Sequence, residues 1–292
     1  MGQPTTLTVS HGSPAGTVIS WYLNPDKTGF IQSGLSYTPN ITTAGTYTYY
    51  VADRGSVSSL LCEGPVAPVT LTVLNVIAGN NISAQQTICS GDIPAMLTGP
   101  VPSSGGNNSY AYQWEISTNG TVFNNIGGAT NQNYQPPALT ATRYYRRVVT
   151  SEPCSDISNV VRISVNPLPQ GSLTANGPFC VSGTGQLRWT ATTGGSGPYT
   201  IVYNDGTANR TRTNVTSGTW FNVAVNPVTS TTTYTLVSVT HETTTCSRTS
   251  GFTTGSATIT INPLPQGSLS ANGPFCGSGA GRLTWTATSG TG

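Results

Sequence analysis

The chain has 292 residues, only 7% of them charged, and a formal net charge of +2. Typical soluble proteins carry about 25% charged residues; here Gly, Thr, Ser and Asn stand in their place, giving a surface that is polar without a strong field. That excludes electrostatic recognition of nucleic acid or of an anionic membrane as the organising function, and no apolar run reaches the length of a membrane-spanning helix.

Apolar–polar alternation predicts strands from one end to the other, and no stretch sustains a helical period. In chain order the first strands fall at 17–23, 45–52 and 66–74. Next comes 110–116, where Tyr110, Tyr112, Trp114 and Ile116 share one face, followed by an Asn119-Gly120 hairpin signal. Strands at 142–150 and 159–165 complete that group. A third group follows at 199–203, 233–239 and 257–261. Short strands separated by turn clusters indicate all-β, antiparallel sandwich units. A Tyr opens the penultimate strand of each group (Tyr47, Tyr144, Tyr234), usually behind an aromatic-x-Pro step such as Tyr37 to Pro39 or Tyr134 to Pro136. That placement suggests a tyrosine corner, a structural device.

Residues 166–180 read NPLPQGSLTANGPFC and residues 262–276 read NPLPQGSLSANGPFC, fourteen of fifteen positions identical at an offset of 96. Such a copy means one domain-sized unit repeated along the chain. The expected division is 1–74, 75–165, 166–261 and an opening stub of a fourth unit at 262–292, with both ends cut from a longer polypeptide. The stub holds at most two strands and cannot close a sandwich by itself. The Pro-rich connectors are short and stiff, so three units in line would make a rod of roughly 110–140 Å.

Six cysteines fall into two classes. Cys89, Cys180 and Cys276 each follow a short apolar stretch. Cys62, Cys154 and Cys246 lie between aromatic and β-branched runs, spaced 92 residues apart. Two pairings compete. Within units, Cys89 would bond Cys154 and Cys180 would bond Cys246, leaving Cys62 and Cys276 unpaired. Across units, Cys62–Cys89, Cys154–Cys180 and Cys246–Cys276 would use all six. The strand and Pro-rich connector between Cys154 and Cys180 extend the chain, whereas a disulfide needs Cα atoms within about 7 Å. The within-unit pairing is therefore expected, each bond locking some 65 residues against stretching. Disulfides in a repeat array indicate an oxidising, extracellular compartment.

The second unit carries the most specific pattern: Tyr112-Gln-Trp114-Glu-Ile-Ser117, Asn125, Tyr134-Gln-Pro136, Leu139-Thr140, Tyr144-Tyr-Arg-Arg147, Cys154 and Ser158-Asn-Val160. This resembles the immunoglobulin-like repeats of large Bacteroidota surface proteins. The first unit (Ser20-Trp-Tyr22, Cys62) resembles them more loosely, as does the third, which lacks the Trp on its central strand. The resemblance implies secreted adhesins, exported by the type IX system and displayed on the cell surface. The partners so implied are neighbouring repeats of the same polypeptide, surface glycans and other cells.

No constellation indicates catalysis, a cofactor or a metal. His11 and His241 lie in different units, and His241-Glu242 lacks the second His of a zinc-protease helix. The nine acidic residues are scattered, and Asn204-Asp205-Gly206 reads as a turn rather than a calcium loop. The segment Arg143-Tyr-Tyr-Arg-Arg147 allows two readings. Arg143, Tyr145 and Arg147 share one face and could contact a glycan by stacking and hydrogen bonding. Alternatively, one Tyr enters the core and the rest form a cross-strand ladder; the structural reading is preferred. The sequence thus points to a disulfide-locked stalk, with glycan recognition by the second unit as the alternative.

Overall fold

A computed structural model describes residues 6–10, 18–54 and 63–289. His11 and Cys62 lie outside the described residues. The described chain contains strands and turns with no α-helix. It clusters into two compact units: residues 1–84, 96–134 and 144–161 form one, and 85–95, 135–143 and 162–292 the other.

In the first unit, four strands pair antiparallel in the order Phe30–Ser33, Val18–Tyr22, Gly45–Arg54, Ala67–Val73. The alternation read from the sequence puts Ile19, Trp21, Tyr49 and Val51 into one core. Trp21 is fully buried and satisfies its indole N–H on Gly34 O at 2.8 Å. Tyr47 donates its hydroxyl back to Thr43 O at 3.0 Å, which closes the corner expected at the start of that strand. The same unit pairs Ala111–Ser117 with Arg143–Ser151 from Tyr144 onward, and Arg143–Ser151 with Cys154–Ile157. Trp114 is the buried anchor there; its Nε1 donates to Asn131 O at 2.9 Å and its ring lies 5.9 Å from that of Tyr134.

The second unit contains a two-sheet sandwich. One sheet runs Gln170–Ala175, Gln186–Thr193, Trp220–Asn222; the other is built on Asn209–Val215, Tyr199–Asn204 and Thr232–His241, with Ser247–Arg248 and Ser256–Ile259 also pairing with Thr232–His241. Leu173, Leu187 and Trp189 from the first sheet meet Tyr199, Ile201, Tyr203, Leu236 and Ile259 from the second. This explains the missing Trp on the central strand. Tyr199, Ile201 and Tyr203 occupy its inward positions, and Trp189 fills the core from the opposite sheet, edge-on to Tyr199 and Phe252.

Two parallel pairings tie each connector to its unit. Gln86–Cys89 lies along Val161–Asn166 with Cys89 opposite Asn166, and Phe179–Cys180 lies along Ile261–Asn262 with Cys180 opposite Asn262. The sequence copy is also a copy in register. Leu173 opposes Trp189, and in the stub Leu269 opposes Trp285. Both hairpins bulge at a glycine, Gly171 or Gly267. A Cβ on Gly171 would sit 2.2 Å from Thr190 O, so this position admits no side chain. The environments differ: Trp189 is fully buried, whereas Trp285 is 57% exposed.

Candidate functional site

The segment singled out for glycan binding does not present the expected face. In Arg143–Ser151 the inward positions are those of Tyr145 and Arg147, and both are fully buried. Arg143 is half-buried, with Nη1 donating to Thr142 O. A surface ligand cannot reach Tyr145 or Arg147, so the glycan strip is corrected to an interior feature. The half-buried Arg146 on the other face pairs across the strands with Glu115 and covers the Phe123 ring at 4.2 Å. An interior Tyr fits the preferred structural reading, and the departure from it is Arg147, which lies inside with Tyr145 rather than in an exposed ladder. A short loop-spanning contact set decides that, and it lies far from Arg147 in sequence.

Arg147 is the hub of that contact set. Its Nε and Nη2 both reach Asn80 Oδ1, at 3.0 and 2.9 Å. Nη1 donates to Gln132 O and Nη2 to Pro100 O, each at 2.9 Å. Asn80 Nδ2 donates in turn to Arg147 O and Asp156 O. These partners are neutral. The charge is further balanced by the faces of Tyr112 and Trp114, at 5.0 and 6.0 Å from Cζ. Burial pushes the guanidinium pKa down, partly opposed by the charge interaction with Tyr112. Space for the planar head exists because residue 99 is glycine; a Cβ there would stand 2.8 Å from Nη1 and 2.9 Å from Asn81 O. The arrangement clamps three irregular segments onto the strand pair. It offers no reacting group. Beside it, Asn81, Ser83, Thr98 and Asn133 help line an open cleft of about 550 Å³, without a titratable side chain.

The cysteines depart from both sequence expectations. Cys89 bonds Cys246, with Cα atoms 5.5 Å apart across 157 residues of chain. Cys154, Cys180 and Cys276 are free thiols. The within-unit pairs Cys89–Cys154 and Cys180–Cys246 are therefore corrected. The reason is visible in the repeat 166–261. Its strand cysteine, Cys180, registers with Asn262 at the end of the repeat. Its hairpin cysteine, Cys246, is bonded to Cys89, which registers with Asn166 at the start. The two classes sit at opposite ends of one repeat and cannot meet inside it. Spacing along the chain gave the classes but not the ends.

The Asp205 turn is closed by its own carboxylate. Oδ1 accepts from the Thr207 hydroxyl at 2.6 Å and from the N–H groups of Thr207 and Ala208, and Oδ2 accepts from Arg210 Nε at 2.7 Å. The Thr207 hydroxyl first, then Arg210, hold its pKa far below the ordinary carboxylate value. Both oxygens are engaged in closing the turn. A depressed folded-state pKa contributes stability that is complete above the unfolded value of about 4 and declines as pH falls below it. Asp205→Ala is thus expected to melt below the parent at pH 7, with the gap narrowing progressively under about pH 4. A gap of constant size at every pH would show that the carboxylate charge does not hold this turn.

Comparisons with known proteins place these observations. Residues 1–74 match the family described as "Ig-like domain CHU_C associated". Residues 78–167 match a domain of unknown function, DUF8696. The chain therefore contains an Ig-like domain. No curated protein matches. Among solved structures, the FN1-FN3 domains of chicken CNTN1 are 12% identical, with 87% of this chain and 92% of that chain covered and a TM-score of 0.30. A structure described as "Structural insight into host cell surface retention of a 1.5-MDa bacterial ice-binding adhesin" is also 12% identical, covering 88% and 89%, with a TM-score of 0.29. Superposition at that level adds nothing to the architecture already described.

Proposed function

We propose that this chain is a spacer segment in the stalk of a bacterial cell-surface adhesin. The observation that carries the reading is the Cys89–Cys246 bond, which fastens the end of one repeat to the beginning of the next. A bond so placed serves a chain that must transmit tension through successive units. The copied connector at 166–180 and 262–276, the low charge and the Ig-like match at 1–74 support it. The units are 1–74, 75–165 and 166–261, with 262–292 opening a fourth. Together with the repeat resemblance, this reading puts the protein outside a Bacteroidota cell, exported by the type IX route. Its immediate partners are its own neighbouring units. The chain is not an enzyme in this reading, and the interior placement of Tyr145 and Arg147 removes the argument for glycan recognition.

The test grafts the 292-residue chain between a surface anchor and an epitope tag. Excising residues 170–265 rejoins the copied connector without a seam and should shorten the tag's reach by roughly 30–45 Å, one unit of strand and end loops. The same chain on a glycan array should give no signal. Specific glycan binding, or an unchanged reach after excision, would overturn the spacer reading.

A further inference from the structure

The free cysteines repeat the geometry of the bonded ones, one unit out of step. Cys180 is placed as Cys89 is. Cys89 registers with Asn166, and the next residue, Ser90, donates its N–H to Asn166 O at 2.8 Å. Cys180 registers with Asn262, and the next residue, Val181, donates to Asn262 O at 2.9 Å. Both asparagines open an Asn-Pro-Leu-Pro connector, at 166–169 and 262–265. Yet Cys89 is bonded and Cys180 is an exposed thiol.

Cys154 is placed as Cys246 is. Each closes a hairpin that follows a long strand: Cys154 opposes Ser151, and Cys246 O accepts from His241 N at 2.9 Å. Cys246 is bonded beside Asn166. Cys154 Sγ lies 3.8 Å from the carbonyl oxygen of Asn75. Asn75 follows the strand Ala67–Val73 and opens the second repeat as Asn166 opens the third, 91 residues on. The hairpin cysteine thus lies at the opening asparagine of its own repeat in both cases.

We infer that Cys180 and Cys154 are the open halves of a disulfide ladder in which the strand cysteine of each Ig-like unit bonds the hairpin cysteine of the unit after it. The ligand of Cys180 is therefore the hairpin cysteine of a following unit of the same kind, and that of Cys154 the strand cysteine of a preceding one. Cys276 belongs to the strand class and continues the series. Each bond forms when two thiols lose two protons and two electrons; the oxidant is a disulfide, such as oxidised glutathione or an oxidoreductase disulfide, which is reduced to two thiols by exchange. The inference rests on the tandem-unit part of the proposed function and is independent of adhesion.

The test extends the chain by one unit of its own. Residues 1–265 are followed by a second copy of 170–261, which keeps the connector sequence and supplies a second hairpin cysteine. The protein is oxidised with glutathione disulfide, alkylated and mapped by non-reducing mass spectrometry, next to the 292-residue chain. The expected result is Cys89–Cys246 in both proteins and, only in the extended one, a bond from the first Cys180 to the copied hairpin cysteine. Alkylation of that Cys180 should be lost in step. If Cys89–Cys246 forms and the first Cys180 remains alkylated, the ladder is wrong while the spacer reading survives. If Cys89–Cys246 is absent from both proteins, the ladder and the observation behind the spacer reading fall together.

Discussion

Arg147→Ala should destabilise its unit by about 3–5 kcal/mol, the sum of a large-to-small cavity and of stranded polar atoms. Asn80 Oδ1 would lose both of its guanidinium donors, and Gln132 O and Pro100 O one each. Against a typical domain stability of about 5–15 kcal/mol, that is enough to leave a substantial unfolded fraction on mild heating. Arg147→Met keeps most of the volume and isolates the polar loss, so it should fall between parent and alanine variant. Gly99→Ala approaches the same site from the other side, because its Cβ contacts backbone oxygen as well as the guanidinium. Guanidinium chloride unfolding of the three variants reads this directly. An Arg147→Ala midpoint within error of the parent would mean that the buried guanidinium is not a structural clamp.

The second large effect is mechanical. Pulled from its ends, the oxidised chain should be unable to extend the segment from Cys89 to Cys246, a sequence separation of 157, because tension passes through the sulfur atoms. Reduction, or Cys89→Ser, should release about 520–560 Å of extra contour at full extension. Closing a loop of this size is also worth about 5 kcal/mol in the chain-entropy account. Single-molecule pulling with and without reductant measures the difference in contour length. Equal lengths in the two conditions would show that the loop is open in solution, and the stalk reading would lose its support.

Much of the fold was legible because a strand writes its burial into every second residue. Ile19, Trp21, Tyr49 and Val51 could be assigned to a core from alternation alone, and so could Tyr199, Ile201 and Tyr203. Alternation defines two faces without saying which one is covered. Tyr145 and Arg147 share a face by alternation, and the preferred reading takes one Tyr of the segment inward but leaves Arg147 outside, because an arginine is rarely interior. The signal that would have corrected this is distributed: an acceptor at Asn80, a glycine at 99, and carbonyls at Pro100 and Gln132. None forms a motif, and their convergence is a tertiary fact. The disulfide failed for a related reason. Cysteine class and period are sequence properties, whereas the end of the sandwich at which a cysteine emerges depends on strand direction. The parallel registers at Asn166 and Asn262 supply that direction.

The same closed loop bears on survival outside a cell. The Asn166–Pro169 connector lies between Cys89 and Cys246 in sequence, so it belongs to the loop that their bond closes. Connectors are where proteases usually nick a chain of packed domains. A single cut there, or anywhere else within the loop, would leave both fragments joined through sulfur. To part what lies on either side of the loop, a protease would have to cut outside it, or a reductant would have to open the bond. Damage that would sever an ordinary tether becomes, in this chain, an internal break without release.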